Sequence, residues 1–393
     1  MRNPQPMTRP PKPSLAMTLD AAPRQSWRRW LRDEWLLLLF AGLAAALALF
    51  DPRPATDYRH WLQWPTLTGL AGLLLAIQGI RDSGLVQHAA AAVMARAHSL
   101  RGLGLGLVAA TAVLSMVLTN DVSLFLVVPL TLAIGTVSNL PVSRMVVLEA
   151  LAVNAGSALS PIGNPQNLLL WQHSALGFTQ FIMAMLPASA LMLVMVALLT
   201  VLWLPRGRVA LTTERLDHTA ISFPLGVCSA LALAAMVVLM EYGHAPLGAA
   251  ILLTLFALGA RASLRRTDWL LLLTFAAIFL GLGHFAALPW VRDALQTLDF
   301  SRPLTVYLGA IAASQAISNV PATVLLLDRA PDVMALAVAV NVGGFGVAIG
   351  SLANLIALRL ARQPHGLRLL HAVSVPFLLV AAPLVYLAWR WLG

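Results

Sequence analysis

Two stretches that interrupt long apolar runs constrain this chain more than any other feature. The first is Asn154-Ala155-Gly156-Ser157-Ala158-Leu159-Ser160-Pro161-Ile162-Gly163-Asn164-Pro165-Gln166-Asn167. At an offset of 187, Asn341-Val342-Gly343-Gly344-Phe345-Gly346-Val347-Ala348-Ile349-Gly350-Ser351-Leu352-Ala353-Asn354 repeats its first Asn, first Gly, Ile-Gly pair and last Asn. Gly and Pro break a helix and free backbone amides and carbonyls, while Asn supplies side-chain partners for them. Unwound backbone is tolerated at membrane depth only where it is buried in protein or lines a cavity. Two such breaks in corresponding halves are the pattern of a secondary transporter's binding site.

The membrane setting follows from composition: 59% of the 393 residues are apolar, 11% are charged and mean hydropathy is +0.80, against about 25% charged in an average soluble domain. The net charge of +10 is carried by Arg scattered between apolar segments. That pattern reports orientation in a membrane and not nucleic-acid binding. The single Cys228 excludes an intramolecular disulfide and reads as a small buried apolar residue.

Residues 1–34 read as a disordered basic cytoplasmic tail ending in an interfacial cluster around Trp27 and Trp30. The first transmembrane repeat is expected over 35–204, a cytoplasmic linker and unpaired span over 205–243, and a second, inverted repeat over 244–393. Within the first repeat, Gly102–Leu118 and Val122–Val137 flank Thr119-Asn120-Asp121; neither arm reaches the roughly 20 residues of a comfortable span, so a re-entrant hairpin is predicted. Pro303–Ile317 and a short return arm flank Ser318-Asn319-Val320-Pro321 in the same way. The unpaired span makes the second half begin on the opposite side. With the N-terminus inside, all basic residues but Arg53, Arg59, Arg292, Arg302, Arg329 and Arg390 lie in or beside cytoplasmic segments, which agrees independently with inversion. The fold class is thus an all-α polytopic membrane protein with two inverted-topology repeats, each with a re-entrant hairpin and a broken transmembrane helix, in the plasma (cell inner) membrane.

Paired hairpins with Asn-containing tips, each followed by a Pro-Ile-Gly-Asn-Pro or Ile-Gly-Ser break, resemble the ion transporter superfamily of arsenite permeases, citrate and divalent-anion symporters and related sodium/proton antiporters. The resemblance covers about residues 60 to 390. It implies a scaffold and a mobile transport domain, a homodimer and an elevator-like movement. Symporters of that superfamily carry Ser-Asn-Thr at both tips, contacting sodium and substrate. The matching residues are Thr119, Asn120 and Asp121 in one tip and Ser318, Asn319 and Val320 in the other. Asp121 puts an acid where the symporters have a hydroxyl, a departure shared with the arsenite-permease and antiporter branches.

Read without the family, Asp121 is an ionisable group near the bilayer centre, where a charge costs at least about 2.5–3.5 kcal/mol. It is suited to taking up a proton or holding a cation; the alternative is an Asp that only closes the tip. Glu149, on the cytoplasmic arm of the first break, is a second proton-coupling candidate or a buried partner for a nearby Arg or Ser. Candidate substrate and ion ligands are Thr119, Asn120, Asp121, Asn154, Ser160, Gly163, Asn164, Asn167, Ser318, Asn319, Asn341, Gly350, Ser351 and Asn354. For each Asn the alternative is repair of the broken backbone. Helices restarting after the breaks present free amides to an anion. His284 reads either as a proton-path or as a packing residue, and the Gly102-Leu103-Gly104-Leu105-Gly106 series as close helix packing.

No enzyme signature is present: none of the nine His forms a His-Glu-x-x-His pair, and Gly350-Ser351 lacks the second Gly of a hydrolase elbow. The expected function is secondary active transport of a small anion or oxyanion, coupled to H+ through Asp121, with Na+ at the hairpin tips as the alternative coupling ion and no cofactor. A cation/proton exchanger or a channel of the same fold remains the alternative.

Overall fold

The computed structural model describes residues 34–85, 99–208, 221–297, 299–361 and 365–392. The expected basic tail with Trp27 and Trp30, most of the connector after Arg81, and the loop beyond Arg208 lie outside the described residues. Every described element is helical: α1 Trp35–Phe50, α2 Ala55–Trp61, α3 Trp64–Asp82, α4 Leu100–Leu118, α5 Asn120–Val137, α6 Val142–Ser157, α7 Pro165–His173, α8 Phe178–Trp203 and α9 Phe223–Glu241 come first. Then follow α10 Ala245–Gly259, α11 Arg261–Arg266, α12 Trp269–Ala287, α13 Pro289–Gln296, α14 Pro303–Ile317, α15 Asn319–Leu326, α16 Val333–Val342, α17 Leu352–Ala361 and α18 Gly366–Leu392, with 3-10 turns at Leu327–Arg329 and Ala348–Gly350.

Local sequence explains the starts. Ser99 caps α4 by accepting from Gly102 N at 3.0 Å, Asp268 caps α12 through Leu271 N at 3.0 Å, and Asp332 caps α16 through Ala335 N at 2.9 Å. The Ser99 cap makes α4 19 residues long, two more than the hydropathy run suggested, and α4 is one of five described helices long and apolar enough to cross a membrane. Large apolar side chains such as Leu39, Phe50, Val194, Leu202, Leu258 and Leu379 stand on the outside. This is the arrangement of a polytopic membrane protein, whose outer surface meets lipid. Cys228 corrects the expectation of burial: it is exposed on α9, because an apolar residue of a membrane helix is as well accommodated by lipid as by a core.

The helices pack in two groups. In one, α1 lies along α12 while α9 and α10 lie along α3. In the other, α4 packs on α5 and α6, α14 on α15 and α16, and α8 joins α6 to α18. The second group is crossed: α17, after the second break, packs against α5, and α7, after the first, packs against α15.

Candidate functional site

Both tips are single-residue breaks between helices, with the same unusual backbone. Thr119 has φ 73° and ψ 155°, and Ser318 has φ 75° and ψ 154°. That region is essentially reserved for Gly and costs on the order of 1–3 kcal/mol per residue. The strain turns the next residues inward: Asn120 N donates to Gly163 O at 2.9 Å, joining the first tip to the first break.

The breaks are held by asparagine. Asn164 opens α7 as its N-cap, accepting from Asn167 N at 2.9 Å, with Pro165 in the first turn. Asn167 donates to the carbonyls of Ser157, Ala158 and Ser160 at 3.3, 3.0 and 3.1 Å, and Ser160 Oγ donates to Met116 O on α4. Across the halves, Asn154 Nδ2 donates to Asn354 Oδ1 at 3.0 Å, and its counterpart Asn341 donates to Asn167 Oδ1, the counterpart of Asn354, at 2.6 Å. Each donor also bonds the carbonyl four residues back, Ala150 at 3.0 Å and Ala337 at 2.8 Å. Asn164 Nδ2 adds a bond to Asn341 Oδ1 at 2.9 Å. The donation is reciprocal, the pattern that a twofold relation between two segments generates.

Close approach at these breaks needs glycine. A Cβ on Gly156 would stand 2.5 Å from Ala112 O on α4, and one on Gly343 would stand 2.6 Å from Ser314 Cβ on α14.

All of the candidate ligands, and Glu149, are buried. The structure gathers Asn154, Asn164, Asn167, Asn341 and Asn354 into one network that is occupied by its own members and by backbone, the bonding that repair of the broken backbone requires. Ser351 Oγ accepts from Ala353 N at 3.3 Å, and Gly163 and Gly350 lie in the breaks. The tips differ. Among the described residues Ser318 Oγ and Asp121 Oδ1 are buried without a partner, and the Asn319 side chain has none.

Asp121 lines a cleft of about 430 Å³ between α3, α5 and the α11–α12 junction, together with Gln78, Arg81, Phe125, Arg266 and Asp268. The guanidinium of Arg81 sits 5.5 Å above the Phe125 ring. In the second half the corresponding tip helix, α15, is packed against α12. Glu149 does not line this cleft and is fully buried on α6. It accepts from Thr131 Oγ1, and its Oε2 has no partner among the described residues. Thr131, reached across from α5, takes the place of the Arg or Ser that sequence suggested. His284 packs at an interface: its Nε2 lies 3.3 Å from Asp51 Oδ2 and its ring stacks on Trp61 at 5.0 Å.

Several contributors escaped sequence reading. Gln315 on α14 donates to the carbonyls of Gly343 and Phe345 at 2.7 and 3.0 Å and accepts from Val347 N at 2.9 Å. Ser374 and His371 on α18 accept from Gly346 N and Ala348 N at 2.8 and 2.9 Å. Gln315 was signalled by being a polar residue three positions before Ser318 in an apolar arm. Nothing local distinguishes Ser374 or His371, because their partners lie in a distant break.

Comparison with known proteins agrees with this arrangement. Residues 28–333 match the citrate transporter family. The chain is 39% identical to the inner membrane protein YbiR of Escherichia coli over 89% of its length and 93% of that protein's. It is 30% identical to the uncharacterized transporter MJ0456 of Methanocaldococcus jannaschii over 84% and 90%. It is also 29% identical, over 37% of its own length and 30% of the relative's, to the silicon efflux transporter LSI3 of Oryza sativa. Breaks stitched by asparagine inside an apolar helical protein thus belong with a family match covering most of the chain: it is a member of the citrate transporter family, a membrane transporter and not an enzyme.

Proposed function

We propose that the chain is a secondary active transporter that moves a small inorganic or organic anion, or an oxyanion, across the plasma membrane by alternating access, coupled to protons through Asp121. One observation carries the reading: Asp121 is buried beside the strained tip, has a carboxyl oxygen with no partner among the described residues, and lines a cleft. A group that touches a cleft from a dry site is able to gain or lose a proton as solute occupies that space. Arg81 and Arg266 in the cleft wall suit an anion, and the name of the rice relative makes an oxyacid a natural member of the test panel.

Reciprocal Asn154–Asn354 and Asn341–Asn167 bonds and matched tip geometry support two inverted repeats with re-entrant hairpins. The two packing groups support a scaffold and a moving body. The inner-membrane relative supports the plasma membrane, and Arg81 and Arg266 on one face support a cytoplasmic cleft with a cytoplasmic N-terminus. The homodimer rests on the family resemblance. Glu149 is the second proton-coupling candidate. Na+ at the tips is favoured by the unpartnered Ser318 Oγ and by Asn319, which also makes cation/proton exchange the second reading.

The test is proton flux in proteoliposomes holding a pH-sensitive dye, with citrate, succinate, sulfate, arsenite, silicic acid, sodium and lithium added in turn. A response to one solute that Asp121→Asn abolishes is the expected result. Response to sodium or lithium alone favours the exchanger, and the absence of flux with folded protein refutes proton coupling across the panel.

A further inference from the structure

We propose that Asp268 is the outer carboxyl of a proton route to Asp121; the inference rests on the reading of Asp121 as the group that takes up and releases the coupled proton. The two carboxyls line the same cleft. They differ in access, since Asp268 is exposed at the start of α12 whereas Asp121 is 6% exposed at the tip. In the proposed route Asp268 is the carboxyl that meets bulk buffer and Asp121 the one it serves. A space of about 430 Å³ has room for several waters between them, each taking about 30 Å³ in the liquid.

The other charged and polar groups of the cleft leave this assignment to Asp268. From α3 come Gln78 and Arg81, from α11 comes Arg266, and from the α11–α12 junction comes Thr267, whose hydroxyl donates to Ser263 O at 2.9 Å. Asp82 does not line the cleft: its Oδ1 accepts from Gln78 Nε2 at 2.9 Å and lies 3.5 Å from Arg266, its Oδ2 is buried without a partner among the described residues, and its side chain is 14% exposed where Asp268 is open. Arginine stays charged at all working pH values and is unable to relay a proton. On the opposite side of the repeat, the residue before Trp64, which corresponds to Trp269, is Gln63. A titrating group is therefore present at one of the two equivalent positions. In the proposed step a buffer acid protonates the Asp268 carboxylate, and the proton then passes through water in the cleft to the Asp121 carboxylate. Charge balances at each transfer, and no co-reactant beyond buffer is needed.

Asp268 also caps α12, and the test must separate the two roles. Asn caps a helix as well as Asp does, so Asp268→Asn keeps the cap and removes only the titration. The measurement is the rate at which the Asp121 carboxylic-acid infrared band appears after photolysis of a caged proton, the band being assigned by its loss in Asp121→Asn. Asp268→Asn is expected to slow that rate severalfold in dilute buffer, with concentrated mobile buffer restoring it and Asp268→Glu keeping it near wild type. A wild-type rate for Asp268→Asn in dilute buffer would overturn the proposal. So would a slow rate that buffer leaves unchanged and Asp268→Glu shares, which marks a structural role. If no carboxylic-acid band is lost in Asp121→Asn, Asp121 does not titrate, and the functional reading falls instead.

Discussion

Replacing Asn341 by Ala tests whether the two halves are clasped at their breaks. The substitution removes the bonds to Asn167 Oδ1 at 2.6 Å and Ala337 O at 2.8 Å, and the one accepted from Asn164 at 2.9 Å. Asn164 Nδ2 retains Ser157 Oγ at 3.1 Å, but Asn167 Oδ1 is left buried with no other partner among the described residues. Hydrogen bonds between membrane helices average about 0.6 kcal/mol, so two cross-half bonds contribute about 1.2 kcal/mol. Stranding one buried oxygen adds about 1–3 kcal/mol. The expected loss is therefore about 2–4 kcal/mol, measured by reversible unfolding in mixed micelles. Asn154→Ala strands Asn354 Oδ1 in the same way and is expected to cost a similar amount. A double-mutant cycle between Asn341→Ala and Asn167→Ala should return a coupling of about 0.6–1.7 kcal/mol. Stability within about 0.5 kcal/mol of wild type, the tolerance for uncoupled sites, or a vanishing coupling would refute the clasp.

Two further outcomes follow from strain and charge. Ser318→Gly relieves a left-handed backbone and removes a buried hydroxyl without a partner, so unfolding should become harder by about 1–3 kcal/mol; if that hydroxyl contacts solute or ion, transport falls at the same time, and an unchanged or lowered stability would contradict the strain argument. Just past α1, Arg53 donates to Asp51 at 2.9 and 2.7 Å and, with His284, holds the Asp51 carboxyl below its ordinary 3.8. A depressed carboxyl stabilises the fold above its unfolded value and loses that contribution as pH falls through its folded value. Trp61 stacks on His284, so the emission difference between wild type and Trp61→Phe should change in that acidic range, and a flat titration there would count against the contact.

Where sequence and structure agree, the cause is local. Apolar runs, the Gly, Pro and Asn of the breaks and the polar tips are chemical necessities of putting unwound backbone into an apolar protein, and each is visible in a few adjacent residues. Thr119 and Ser318 were legible as tips for that reason. The residues that close the second break from afar, Gln315, His371 and Ser374, were not. Their role depends on which helix packs beside the break, and a side chain donating to a distant carbonyl leaves no periodicity in its own segment. Glu149 was legible as a buried acid, but its partner Thr131 was not, for the same reason.

By itself, then, the sequence determined that this chain is a helical membrane protein, that two related segments are broken, and which residue types gather there. These follow from hydropathy and from backbone groups that must be satisfied wherever water is absent. Only the tertiary structure decided how the asparagines are used. Five of the seven predicted as ligands, Asn154, Asn164, Asn167, Asn341 and Asn354, bond one another across the halves, while Asp121, Ser318 and Asn319 keep capacity unused among the described residues. It also decided that Asp121 opens to a cleft shared with Asp268. The physical reason is that hydrogen-bonding capacity is a property of a residue, whereas its occupation depends on neighbours brought close by packing from more than a hundred positions away.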